Sequence, residues 1–383
     1  MKIARNHTVT IFRCAAFVLA LIAGGGHLFG GEIQEAALAG DMVKVVELVR
    51  ANPKLVFSKG QATSINKVMT DVNDLRVFLE DDRKNLDEWK SASCTPLFFA
   101  VLGGHKEVAG FLLANRADVN AKGNLGSSPL MVAAFSANLD MANLLIEHQA
   151  KVNVSDDHGF TPLDYAIMFG SENMVSLLLT NKAKINAKYH NGFSALFCAV
   201  FFDQTNIVKL LIANRADVDS KGPNDGTPLY WAARRGNIPM AELLVSAKAN
   251  VNARDRSGVT PLSQAAFLDR SNMVAFLLAH HADVNAKDDS DVTPLLAAAD
   301  KGYNDVVKLL LAYKADVNIT AANGTTALHF AVAKGYMDVV ESLVAAHADV
   351  NIKDDNGYRP LRAARENGYK YIAEFLQQHG GHE

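Results

Sequence analysis

Imidazoles and carboxylates that stand close together can hold a metal ion or move a proton, so they are the first residues to weigh. His379 and His382 flank two glycines beside Glu383, and His280 and His281 are adjacent. A frayed tail and an exposed hairpin account for these better than metal ligation does. Asp288, Asp289 and Asp291 offer oxygen ligands of the kind calcium takes, but they fall where a turn is expected, and aspartate is favoured there for turn formation alone. Asn153, Asn318 and Asn323 begin N-x-[ST] sequons, which matter only in a eukaryotic secretory pathway. No phosphate-cradling G-x-x-x-x-G-K-[ST], dinucleotide-type G-x-G-x-x-G after a strand, zinc-type H-E-x-x-H or C-x-x-C occurs. These residues make no catalytic set, and the expectation is a non-enzyme without metal or cofactor.

The elements that carry them are set by a chain of 383 residues, 49% hydrophobic and 21% charged, which has ample material for a core. The net charge is −3 and no dense lysine or arginine stripe appears. The counterion-release term behind nucleic-acid binding therefore has no source, and nucleic acid is not an expected partner. Lys2, Arg5 and Arg13 precede the apolar run Cys14 to Ala23 and three glycines, the layout of a cleaved export signal over residues 1–30. The run is too short to span a bilayer, so no membrane association is expected after cleavage. Removing residues 1–30 takes away those three bases and no acid, and the formal charge moves from −3 to −6. Only Cys94 and Cys198 remain, too few for a disulfide-built domain.

Internal periodicity decides the architecture. Thr95, Ser128, Thr161, Ser194, Thr227, Thr260, Thr293, Thr326 and Arg359 follow one another at a constant spacing of 33 residues. Proline follows seven of them and leucine comes next in every unit. A hydroxyl at the first position caps a helix start, and proline at the next loses no hydrogen bond there. Leu97, Ala100 and Val101 then form a short apolar stripe before Gly104, and Val108, Ala109, Leu112 and Leu113 mark a second helix. The units close on Ala-Asp-Val-Asn, as at residues 117–120, 282–285, 315–318 and 348–351, or on close variants of it, and a turn leads to the next cap.

The period, the T-P-L start and the A-D-V-N end resemble the ankyrin repeat over residues 91–383. The resemblance implies an all-α repeat solenoid of helix-turn-helix units joined by β-hairpin-like loops. Each unit buries too little to fold alone, and stacked neighbours share one core. The histidine that follows T-P-L in the family, and ties neighbours by hydrogen bonds, stands only at His329. Phe98, Met131, Asp164, Phe197, Tyr230, Ser263, Leu296 and Arg362 replace it, and apolar contact is expected in its place in most units.

Residues 31–59 read as an N-terminal capping repeat without T-P-L, and the last of the nine repeats, with Gln377 at a normally apolar place, reads as a C-terminal cap. Between Ala36 and its counterpart Ala100 the chain is 31 residues longer than one period. The excess, residues 60–90, is either a helical insertion or a decayed repeat.

The family resemblance implies that a protein partner lies on the concave face, formed by the hairpins and the outer side of each first helix. The residues there are Phe160 and Phe193 before the caps, and Phe135, Met168, Phe169, Phe201, Phe202, Arg234, Arg235, Phe267 and Leu268 seven to eight residues after them, with Tyr230 and Trp231 nearby. Such aromatic and arginine-rich composition is that of interface hot spots. Two readings stay open at this point: these side chains receive a partner, or they stack on one another between units. The expected role is a monomeric scaffold that binds another protein outside the cytoplasm. The alternative is an accessory or regulatory subunit of an enzyme or secretion system, with its specificity in residues 61–92. Exported arrays of this kind resemble bacterial proteins, which implies a periplasmic or secreted location.

Overall fold

The computed structural model describes residues 31–59, 94–187 and 193–383. The expected export signal, residues 1–30, and the segment 60–90 lie outside the described residues. Two compact units are present, one ending at Arg215 and one beginning at Ala216. Among the described residues every regular element is helical.

In the first unit the helix pairs are Glu32–Ala39 with Met42–Ala51, Pro96–Leu102 with Lys106–Ala114, Pro129–Phe135 with Leu139–Glu147, Pro162–Met168 with Glu172–Thr180, and Ala195–Phe201 with Thr205–Ala213. The second unit holds Pro228–Arg235 with Ile238–Ser246, Pro261–Phe267 with Ser271–Ala279, Pro294–Lys301 with Asn304–Ala312, Ala327–Lys334 with Met337–Ala345, and Pro360–Glu366 with Lys370–Gln378. Within each unit, first helices pack on first helices and second helices on second helices of the next repeat.

The caps form as the sequence dictates. Thr95, Ser194 and Thr293 accept the N–H of Phe98, Phe197 and Leu296 at 3.4, 3.1 and 3.3 Å, and all three caps are buried. In the second helices, Asn138 and Asn237 accept the N–H of Met141 and Met240, both at 3.0 Å. One face of each second helix is closed off from water, as Val108, Ala109 and Leu112 or Val306, Val307 and Leu310 show. These aliphatic faces fill the core between repeats, where each side chain contributes about 1.5–3 kcal/mol of burial.

The asparagine of each A-D-V-N segment ties neighbours together. Asn120 and Asn153 Oδ1 accept the N–H of Lys151 and Lys184 at 2.8 and 2.7 Å in the first unit. Asn252, Asn285 and Asn318 do the same for Asp283, Asp316 and Asp349 at 2.8, 2.9 and 2.9 Å in the second. Among the described residues the hairpins add backbone bonds between repeats, such as Asp157 N–H to Leu125 O and Asp289 N–H to Ser257 O. Repeat-to-repeat hydrogen bonding is thus carried by the asparagines at almost every step, although the family histidine stands once.

At that histidine position, apolar replacement holds for Phe98, Met131, Phe197 and Leu296, which are buried. Of the four others, Arg362 is exposed and pairs with Glu366, and three are polar side chains that are buried and so must find a partner. Asp164 accepts the hydroxyl and N–H of Thr161 at 2.6 and 2.7 Å, Ser263 meets the Thr260 hydroxyl at 3.0 Å, and Tyr230 donates to Gln264 Oε1 of the next repeat at 2.8 Å. His329 keeps the family geometry, with Nδ1 accepting the Thr326 N–H at 3.2 Å and Nε2–H donating to Tyr358 O at 3.1 Å.

Glu32–Ala39 packs on Pro96–Leu102 and Met42–Ala51 on Lys106–Ala114, so the first pair and the Thr95 repeat are consecutive layers. His105 Nε2–H donates to Leu38 O at 2.9 Å across that junction. Its ring lies so close to Gly40, which has φ of +73°, that a Cβ there would come within 2.5 Å of Nδ1. At the other end Gln377 is exposed on Lys370–Gln378, as a terminal repeat requires.

Candidate functional site

The residues that sequence alone places on one binding face divide into two groups. Phe160 and Phe193 are core side chains, with 5% and 2% exposure, which corrects their placement on the surface. Each stands immediately before a helix cap, and the hairpin turns it inward. The Phe160 N–H donates to Asp156 Oδ1 at 2.9 Å and its ring lies 6.3 Å from that of Tyr165. The Phe193 ring meets Phe197 edge-on at 5.0 Å. Tyr230 is likewise buried, its hydroxyl is committed to Gln264, and burial pushes its pKa up to about 12. These three side chains belong to the core, Phe160 and Phe193 through ring contacts within their own repeats and Tyr230 through a hydrogen bond to the next.

The residues seven and eight places after the caps behave differently. Phe135, Met168, Phe201 and Phe202 are half-buried in the first unit, and Phe169 is 38% exposed. Phe135 meets Phe169 of the next repeat edge-on at 4.6 Å, and Phe201 meets Phe202 at 5.5 Å. Edge-on pairs contribute about 0.5–1.5 kcal/mol each, so this row holds its own shape while leaving ring surface open to water. The second unit has its own row: Trp231 and Arg234 are half-buried, Arg235 is exposed, and Phe267 is 45% exposed beside half-buried Leu268. The Arg234 guanidinium lies 5.4 Å from the Trp231 ring and Lys301 Nζ 5.0 Å from the Phe267 ring. Lys301, Gln264 and Arg270 complete these surroundings and were outside the sequence-derived set, since their proximity depends on the stacking of repeats.

The candidate metal and acid groups are engaged in local structure. His379 donates from Nδ1 to Phe375 O at 2.8 Å, the His280 ring lies 4.4 Å from Phe276, and Glu383 pairs with Arg365. Asp288 accepts the N–H of Ser290 and Val292, Asp289 pairs with Arg254 and Asp291 with Lys287. Among the described residues no group of three His, Cys, Asp or Glu side chains is placed to hold a metal ion.

Two buried carboxylates flank the start of Pro162–Met168. Asp156 accepts the Tyr165 hydroxyl at 2.7 Å together with the N–H groups of His158 and Phe160. Burial pushes the Asp164 carboxyl up to about 7, against the lowering effect of the Thr161 hydroxyl and N–H, and nearby Asp156 adds to the rise. A carboxyl titrating near neutrality suits acid-base chemistry when substrate can reach it. Asp164 is only 2% exposed and bonded to its own helix cap, which makes it a structural acid.

A family model of ankyrin repeats matches residues 34–156, 97–189, 153–222, 196–288 and 295–383. No curated protein matches the chain. The constant period, the capped helix pairs and these matches lead to one assignment: the chain belongs to the ankyrin-repeat family.

Proposed function

We propose that this protein is a non-catalytic binding module whose protein partner docks on the first-helix row of each unit, and that it acts as an exported monomer. Ankyrin repeats generally mediate protein-protein interaction. The observation that carries the finer reading is the pattern of exposure around a single helix register. Phe169 and Phe267 keep large parts of their rings open to water, whereas aromatic side chains just before the caps are closed off. Exposed aromatics flanked by half-buried ones have the composition and the partial pre-organisation of an interface hot spot. The binding set is accordingly Phe135, Met168, Phe169, Phe201, Phe202, Trp231, Arg234, Arg235 and Phe267, without Phe160, Phe193 and Tyr230.

Export rests on the charged start, short apolar run and glycines of residues 1–30. N-terminal sequencing of protein from its native host is expected to begin within a few residues of Gly31, and an intact Met1 contradicts export. For the interface, wild type and a Phe135→Ala, Phe169→Ala, Phe267→Ala variant are used to capture partners from the same host fraction. The expected result is a protein captured by wild type and lost from a variant that still unfolds cooperatively. Equal capture by a folded variant overturns the assignment of the row.

A further inference from the structure

The two rows differ in charge. From seven to ten residues after each cap, the first unit carries no lysine or arginine, whereas the second carries Arg234, Arg235, Arg270, Lys301 and Lys334. This cationic set belongs to a chain whose overall charge is negative. Arg270 is drawn to the same place by packing: a Cβ on Gly236, the residue after Arg235, would lie 3.1 Å from Arg270 Cδ. The stem of Arg270 therefore covers the end of the helix that carries Arg234 and Arg235. Among the described residues neither Arg234 nor Arg270 has an ion-pair partner within 4.0 Å. Of the acids at this level, Asp300 pairs with Lys301 at 2.7 Å and Asp269 accepts the Ser271 hydroxyl at 3.4 Å.

We infer that the second unit receives an acidic segment of the partner, with glutamate or aspartate side chains meeting Arg234 and Arg270 and an apolar side chain resting against Trp231 and Phe267. The inference rests on the proposed binding role and adds the chemistry of what is bound. Two physical effects favour it. Like charges drawn together repel one another, and a partner's carboxylates relieve that repulsion while forming charge-assisted hydrogen bonds. The Trp231 ring already holds Arg234 by its face, so less freedom is lost when a carboxylate engages it. Carboxylates on a peptide are favoured over a bare anion because Phe267, 45% exposed beside Leu268, offers apolar surface that only an adjoining side chain can cover.

The test uses the full chain and three fluorescein-labelled peptides that are identical except at their charged positions. These carry glutamate, glutamine or lysine around a central leucine. Binding is read by anisotropy at low and high salt, with Trp231 emission as a local signal and a Trp231→Phe variant to separate it from Trp89. The glutamate peptide is expected to bind with an affinity that falls with salt. An Arg234→Glu, Arg270→Glu variant, verified as folded by circular dichroism, is expected to weaken it by about tenfold or more and to gain affinity for the lysine peptide. Equal binding of the glutamine peptide, insensitivity to the double reversal, or binding of none of the three peptides overturns the inference. If the glutamine peptide binds and the phenylalanine variant described above loses it, the binding role stands while the acidic chemistry falls.

Discussion

Phe160 and Phe169 bracket the same helix, Pro162–Met168, and replacing each by alanine tests how the structure separates core from surface. Phe160 is almost wholly buried, between the Asp156 carboxylate that holds its N–H and the Tyr165 ring. A buried phenylalanine removes about 150–250 Å² from water, and truncation to alanine adds a cavity, for a combined cost of about 3–5 kcal/mol. Phe169 loses a partly exposed ring and its edge-on contact with Phe135, which together amount to about 1–2 kcal/mol. Repeat arrays open in parts and depart from two-state behaviour, so melting alone blurs the difference. Hydrogen exchange across residues 161–187, read beside thermal unfolding, resolves it locally. Phe160→Ala should expose the amides of that repeat far more than Phe169→Ala does. Equal costs, or a larger cost for Phe169→Ala, would refute the division of the aromatic set.

Three further outcomes follow from the same contacts. The folded pKa of Asp164 is about 7 against 3.8 for the unbonded group, so its contribution to stability is fully present below about pH 4 and is lost as pH rises towards 7. Asp164→Asn should therefore gain on wild type across that window by at most on the order of 4 kcal/mol, and a difference in unfolding free energy that stays flat from pH 4 to 7 contradicts the burial of this acid. Asn318→Ala removes the acceptor of the Asp349 N–H at an exposed site, which should cost about 1 kcal/mol and speed exchange of that single amide; unchanged protection there would discount the asparagine ladder. Cys94 and Cys198 are buried thiols outside any disulfide, so a thiol reagent should label neither in the native protein and both after denaturation, and native labelling would show that the layers around them open.

The fold was readable because each repeat declares itself chemically. Thr, Pro and Leu at a helix start have local reasons to stand together, and nine copies in register leave no alternative to stacking. The exposure of the proposed binding face was readable only in part. Positions seven and eight after the cap follow helix geometry, which leaves Phe169 and Phe267 exposed and Phe135 half-buried. Phe160 and Phe193 lie one residue before the cap, where the hairpin and not a helical period sets direction, and both turn inward. Asp164 and Tyr230 also replace the family histidine, but a buried polar group seeks its own partner, and those partners, Thr161 and Gln264, are visible only in three dimensions. The role of the A-D-V-N asparagine is similar: a turn-former in sequence becomes an inter-repeat acceptor once the next repeat lies beside it.

The claim that the first-helix rows receive the partner is tested most directly by site-specific photo-cross-linking in the native host. A photoreactive residue replaces Phe169 or Phe267 on the rows, or Asn143 or Glu242 on exposed faces of second helices. The account predicts a discrete cross-linked protein from positions 169 and 267 and none from positions 143 and 242. Cross-links of equal yield from the second-helix positions, or from those positions alone, would contradict it.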